Sequence, residues 1–116
     1  LGDKHSCTYA GRYYARTRDN TPDYLKARWL WRKGCKMNAS QSCMGLGDIA
    51  QAGNIITTDF DRAADYYQKA CALNNRAGCR SLLSLIRSNQ VPAAGRPPVK
   101  DLEAKLCGRK KNGRCY

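Results

Sequence analysis

The chain has 116 residues, enough for a single domain, and contains no apolar run near the ~20 residues of a membrane-spanning helix. Hydrophobic residues make up 42% of the sequence, which excludes a disordered chain and predicts a globular protein with a modest core. The formal net charge of +12 predicts either an acidic binding partner or a well-solvated basic surface.

The seven cysteines reveal a repeat with a period of 36 residues. One phase of this period holds Cys35, Cys71 and Cys107, and the other holds Cys7, Cys43, Cys79 and Cys115. Other residue types keep the same phase, since Asp23 corresponds to Asp59 and Ala27 corresponds to Ala63. Residues that recur at one fixed period indicate a tandem repeat, in which each unit is one supersecondary element.

The predicted elements follow this repeat in chain order. They are a lone helix at about residues 5–18, a helical hairpin at about 22–53, a second hairpin at about 59–89 and a half-repeat at about 97–116. Asp59 is the predicted N-cap of the second hairpin, and Asn74 interrupts the apolar pattern between its two helices. We therefore predict a single all-α domain made of helical hairpins.

The two cysteines of each repeat are eight residues apart, which is too far for a disulfide on one straight helix. Eight residues of helix rise about 12 Å, whereas a disulfide joins Cα atoms at most about 7 Å apart. The predicted turn reverses the chain between them, so we expect the disulfides Cys35–Cys43, Cys71–Cys79 and Cys107–Cys115. A metal site is the weaker alternative, because paired zinc-binding cysteines usually have about two to four residues between them. Since His5 is the only histidine, we predict no metal and no cofactor.

Cys7 has no cysteine eight residues before it and is expected to be unpaired in this chain. We expect the chain to be the C-terminal part of a longer protein, or Cys7 to be a buried and inert thiol. An intermolecular disulfide is a further alternative.

The stretch DFDRAADYYQKACALNNRAGCRSLLSLI, residues 59–86, resembles a Sel1-like repeat, a relative of the tetratricopeptide repeat. The cysteine spacing is similar to that of the Helicobacter cysteine-rich protein family. The matching positions are Ala63, Tyr66, Tyr67, Lys69, Ala70 and Cys71. The first repeat departs from the pattern, with Leu30 and Trp31 at the aromatic pair and Gly34 in place of the alanine, and the third repeat is degenerate.

The resemblance implies an α-solenoid of Sel1-like helix-hairpin repeats with disulfides inside the repeats, exported to the bacterial periplasm or secreted. Sel1-like proteins usually bind other proteins, so the expected function is a non-catalytic binding module, such as an immunity protein that neutralises a secreted antibacterial effector. The alternatives are an envelope adaptor or a penicillin-binding weak β-lactamase, as some cysteine-rich members are. No serine is followed by lysine three residues later, as a β-lactamase requires, and we predict no enzyme.

Comparison of the repeats predicts the partner-binding surface. Trp29 aligns with Asp65 and Leu25 with Asp61, so both apolar side chains are expected to be exposed, whereas Trp31 aligns with the core. The predicted partner-binding residues are Leu25, Arg28, Trp29, Arg32 and Lys36, and all but Arg28 lie on one helical stripe. No acidic residue lies between Asp23 and Asp48, which favours a protein partner with an acidic surface. Alternatively, a helix upstream of the lone helix covers this stripe.

Nucleic-acid binding is a third class to consider, because aromatic and basic residues alternate in the lone helix. They are Tyr9, Tyr13 and Tyr14 with Arg12, Arg16 and Arg18. The same tyrosines also fit the packed face of that helix, at positions aligned near Gly45, Ile49 and Ala50. Because disulfides indicate a compartment without nucleic acid, we expect no nucleic-acid partner.

Overall fold

The computed structural model describes residues 3–16, 22–55, 57–107, 110–111 and 114–115. Its helices are α1 (Lys4–Ala15), α2 (Tyr24–Lys36), α3 (Ser40–Ala52), α4 (Phe60–Ala72), α5 (Arg76–Arg87) and α6 (Val99–Cys107). Each helix packs against the next one along the chain, so that α2 and α3 form one hairpin and α4 and α5 form the next. None of the helices in the described ranges is long and apolar enough to cross a membrane.

The period read from the sequence is also the period of the structure. Helices α2 and α4 begin 36 residues apart, as do α1 and α3, and α3 and α5. Helix α6 begins three residues later than this register would place it. Pro97 and Pro98 account for the delay, because a proline disfavours the helical conformation in the residue before it.

Equivalent residues cap the first helix of each hairpin. The side chains of Asp23 and Asp59 each accept a hydrogen bond of 3.0 Å from the backbone N–H three residues later. The predicted N-cap Asp59 is therefore confirmed. In the turns that follow, Asn38 and Asn74 have positive φ angles of 65° and 68°, a conformation that asparagine adopts more readily than most residues.

The core lies between successive helices and contains one large aromatic residue from each first helix. Trp31 and Tyr67, which are 9% and 2% exposed, occupy the same position in α2 and α4. The Trp31 indole N–H donates to the carbonyl oxygen of Thr8 in α1 at 3.1 Å. The Tyr67 hydroxyl donates to the carboxylate of Asp48 in α3 at 2.7 Å. Each aromatic residue thus ties its helix to the preceding one, and the prediction that Trp31 is a core residue is confirmed.

One feature near the C-terminus was not predicted. The strands β1 (Lys110–Lys111) and β2 (Arg114–Cys115) form an antiparallel pair, the only strands within the described ranges. The prediction of an all-α fold therefore holds for the helices and misses this pairing. The segment is basic and rich in poor helix formers, and the sequence between its strands is Asn-Gly, a dipeptide that favours hairpins in general.

Candidate functional site

Two of the three predicted disulfides are present, and each joins the end of one helix to the first turn of the next. The Cα atoms of Cys35 and Cys43 are 4.8 Å apart, and those of Cys71 and Cys79 are 4.6 Å apart. The structure describes the backbone of Cys107 and Cys115 but not their side chains, so the third predicted pair, Cys107–Cys115, stays a prediction. The two observed bonds fix the geometry of both hairpins.

Cys7 is completely buried and forms no disulfide with the cysteines whose side chains the structure describes. A Cβ placed on Gly34 would lie 3.4 Å from the Cβ of Cys7, so α2 approaches the cysteine closely.

Helix α2 presents the predicted partner-binding residues on the side opposite to its core-facing residues. Leu25 and Trp29 are 61% and 56% exposed, which confirms the exposure expected from their alignment with aspartates. Arg32 and Lys36 continue the exposed stripe, while Arg28 is half-buried at its edge. We call these five residues the α2 surface.

The indole ring of Trp29 is held in place by its own helix. The Lys33 ammonium lies 4.0 Å from the centre of the ring, in cation–π contact. The corresponding lysines of the next two repeats have another role. Lys69 donates to the carbonyl oxygen of Cys35 at 2.8 Å, and Lys105 donates to that of Cys71 at 3.3 Å. In the first repeat the lysine therefore orients an exposed aromatic side chain.

On α4, the linker contacts the equivalent surface through one arginine. Arg96, in the linker before α6, donates to the carboxylate of Asp65 at 2.5 Å and to the side-chain oxygen of Gln68 at 3.0 Å. Its guanidinium also reaches the carbonyl oxygen of Asp61 at 3.4 Å. Asp61 and Asp65 are themselves exposed, but the linker contacts both residues through Arg96, whereas the matching residues on α2 are the apolar Leu25 and Trp29.

A cleft of about 400 Å³ adjoins the α2 surface, between α2, α3 and α4. Leu46, Ile49 and Ala50 of α3 contribute apolar lining. The cleft is also lined by Arg28 of α2, by Arg62 and Tyr66 of α4, and by the acidic residues Asp59 and Asp61.

The sequence analysis named Arg28 as a partner-binding residue but did not predict the cleft or its other lining residues. A signal was available, because Arg28 replaces Ala64, which is fully buried in the second repeat. Conversely, the half-buried Tyr66 replaces Leu30, which is 4% exposed. Side chains of unequal size at matched positions mark the place where the two repeats are not packed alike.

Two tyrosines of α1 do not lie on the packed face of that helix, where one interpretation of the sequence placed them. Tyr9 and Tyr13 are 66% and 70% exposed, so the interpretation that they belong to the packed face is wrong for both. Ile49, which corresponds to Tyr13, is buried because α3 packs between α2 and α4, whereas α1 packs mainly against α2. The Arg12 guanidinium lies 5.9 Å from the centre of the Tyr9 ring. Arg18 lies outside the described residues.

Within the described ranges there is no cluster of three or more His, Cys, Asp or Glu residues that could hold a metal ion.

The pKa of Tyr67 is raised far above its ordinary value, first by burial and then by the hydrogen bond to Asp48 and the negative charge of that carboxylate.

Together these features define a helical-repeat protein with disulfides inside its hairpins. No protein-family model matches the chain, and no curated protein is significantly similar to it.

Proposed function

We propose that the chain is a Sel1-like α-solenoid that binds another protein through the α2 surface and has no catalytic role. The observation that carries this proposal is the exposed pair Leu25 and Trp29, at positions where the second repeat has aspartates. Tryptophan and arginine are the residue types most often responsible for binding energy at protein interfaces. Trp29 has Arg28 beside it and Arg32 on the same stripe.

The charge around the α2 surface supports an acidic partner. The chain has no acidic residue from position 24 to position 47, and its net charge is +12. A basic surface of this kind attracts an acidic protein over distances of about a Debye length and accelerates association.

The disulfides support a location in an oxidising compartment, the periplasm or the exterior of a bacterial cell. Cytosolic proteins rarely retain structural disulfides, whereas small exported domains often depend on them. In such a compartment the module would act as an immunity protein that blocks a secreted antibacterial effector. An envelope adaptor would use the same surface, and the identity of the partner distinguishes the two roles.

Affinity enrichment tests this function. The purified protein, the Trp29→Ala variant and the Tyr13→Ala variant would be used to capture proteins from the periplasmic and secreted fractions of the source organism. Tyr13 is a matched control because it is an exposed aromatic residue on another helix.

We expect one acidic protein to be retained by the wild type and by Tyr13→Ala, with an affinity about thirty-fold lower for Trp29→Ala, as for a typical interface anchor. Equal retention of that protein by Trp29→Ala would show that the α2 surface is not the binding site.

A second candidate function rests on the exposed aromatic and basic side chains of α1. Tyr9, Tyr13 and Arg12 are all exposed, as a stacking site for single-stranded nucleic acid requires. Titration with a fluorescent oligonucleotide would show affinity that falls steeply with salt if this function is present. The absence of binding at low salt would exclude it.

A further inference from the structure

We infer that the cleft between α2, α3 and α4 receives an apolar side chain of the protein partner, with an adjacent carboxylate of the partner at Arg28. This inference rests on the proposed function, since it names the part of the partner that anchors next to the α2 surface.

The size and the lining suit a large apolar side chain together with the peptide backbone next to it. The volume of about 400 Å³ lies within the range of ~300–1000 Å³ typical of ligand pockets. Leu46 and Ile49 are 3% and 7% exposed, so the part of the cleft that they line has firm core packing behind it. Ile55, in the segment before α4, and Phe60, the first residue of α4, add apolar surface.

The charges at the cleft are unequal on its two sides. On the α4 side, Arg62 lies near Asp59 and Asp61, and the Asp59 carboxylate is already bound to the Arg62 backbone N–H at 3.0 Å. On the α2 side, Arg28 is half-buried, and the ion pairs within the described ranges involve other arginines. A half-buried arginine that forms no ion pair within the described ranges favours an anionic group from outside.

The position of the cleft makes it continuous with the α2 surface. Arg28 belongs to both, and Trp29 follows it directly in the sequence. A partner segment that contacts Trp29 can therefore place its next side chains at Arg28 and in the cleft. An acidic partner, as expected from the net charge, would supply the carboxylate that is expected to bind Arg28.

Three capped tripeptides test this inference on the full chain. They are acetyl-Glu-Phe-Glu-amide, its neutral analogue acetyl-Gln-Phe-Gln-amide, and acetyl-Glu-Ala-Glu-amide, which lacks the apolar side chain. Binding would be followed by chemical-shift changes in ¹H–¹⁵N spectra at neutral pH and low salt. We expect the first peptide to shift the signals of residues 28, 49, 62 and 66, the second to bind about ten-fold more weakly, and the third not to bind.

Two variants locate the contacts. Arg28→Gln is expected to weaken the acidic peptide about ten-fold and to abolish its advantage over the neutral peptide, because the charge-assisted hydrogen bond is lost. Ala50→Phe is expected to fill the cleft and to exclude all three peptides. Arg80→Gln, an exposed arginine on α5, is the matched control and should bind as the wild type does.

Equal affinity for the acidic and neutral peptides, or shifts confined to α1, would overturn the inference. Its failure is distinguishable from failure of the proposed function, because the two have separate readouts. If the peptides do not bind but partner capture still depends on Trp29, only the cleft assignment is wrong. If capture does not depend on Trp29, the proposed function fails whatever the peptides do.

Discussion

Gly34 and Gly78 allow the two helices of each hairpin to cross closely. The glycine lies on the first helix of one hairpin and on the second helix of the other. A Cβ on Gly34 would lie 2.2 Å from the hydroxyl oxygen of Ser42, and a Cβ on Gly78 would lie 2.8 Å from the Cβ of Ala70. In the first hairpin the glycine is on α2 and the side chain on α3. In the second the alanine is on α4 and the glycine on α5. At the point where the two helices of each hairpin cross, there is therefore room for a side chain from only one of them.

A double-mutant cycle tests this account of the crossing. We expect Gly34→Ala to destabilise the protein by about 1–3 kcal/mol through overpacking. Ser42→Gly should also destabilise it, because Ser42 forms a buried hydrogen bond of 2.7 Å with Thr8. The double variant reproduces the arrangement of Ala70 and Gly78. Its loss of unfolding free energy, measured by urea denaturation, should therefore be smaller than the summed losses of the two single variants by about 1 kcal/mol or more. Strictly additive costs would contradict the account.

Tyr67 predicts how stability changes at alkaline pH. Burial, followed by the hydrogen bond to Asp48, raises its pKa in the folded state above the unfolded value of about 10. Above that pH the unfolded state loses the phenolic proton while the folded state keeps it, so stability falls as pH rises. We expect Tyr67→Phe to make this alkaline decline shallower in denaturant titrations at several pH values. The same decline in both proteins would show that Tyr67 does not titrate differently on unfolding.

Helices α1 and α3 show that residues at the same position of the 36-residue repeat can differ in burial. Tyr13 and Ile49 share one register position, yet Tyr13 is 70% exposed and Ile49 is 7% exposed. Ile49→Ala should lower the unfolding free energy by about 2–5 kcal/mol, whereas Tyr13→Ala should change it by about 0.5 kcal/mol or less.

Thermal unfolding followed by circular dichroism would measure both changes. A large loss of stability in Tyr13→Ala would mean that the aromatic face of α1 is packed in solution.

Local signals made the hairpins predictable from the sequence. Asp59 caps α4, Asn74 ends the pattern in an αL turn, and the cysteine spacing required a chain reversal at that point. The exposure of Trp29 could be predicted as well, because the internal repeat supplies a comparison at every position. The faces of α1 could not be assigned in the same way, because burial there depends on which helices pack against it.

At the scale of the whole molecule, the described helices form an elongated body of 48 × 29 × 24 Å in which the exposed surface of each first helix differs. Arg96 binds Asp65 on α4 from 31 residues away, and the cleft is lined by residues of three helices, of the loop between α3 and α4, and by Gln90 after α5. Such contacts between distant segments have no local signature. The unequal side chains at residues 28 and 64 indicate that the two repeats pack differently there, but they do not indicate which segments line the cleft.

The most direct test of the central claim is hydroxyl-radical footprinting of the captured partner complex, read by mass spectrometry. In the free protein, oxidation should be fast at Trp29 and slow at Trp31, which is 9% exposed. We predict that the partner protects Trp29 strongly and leaves Tyr13 as reactive as before. Unchanged oxidation of Trp29 in the complex, with protection at Tyr9 and Tyr13 instead, would contradict the assignment of the α2 surface.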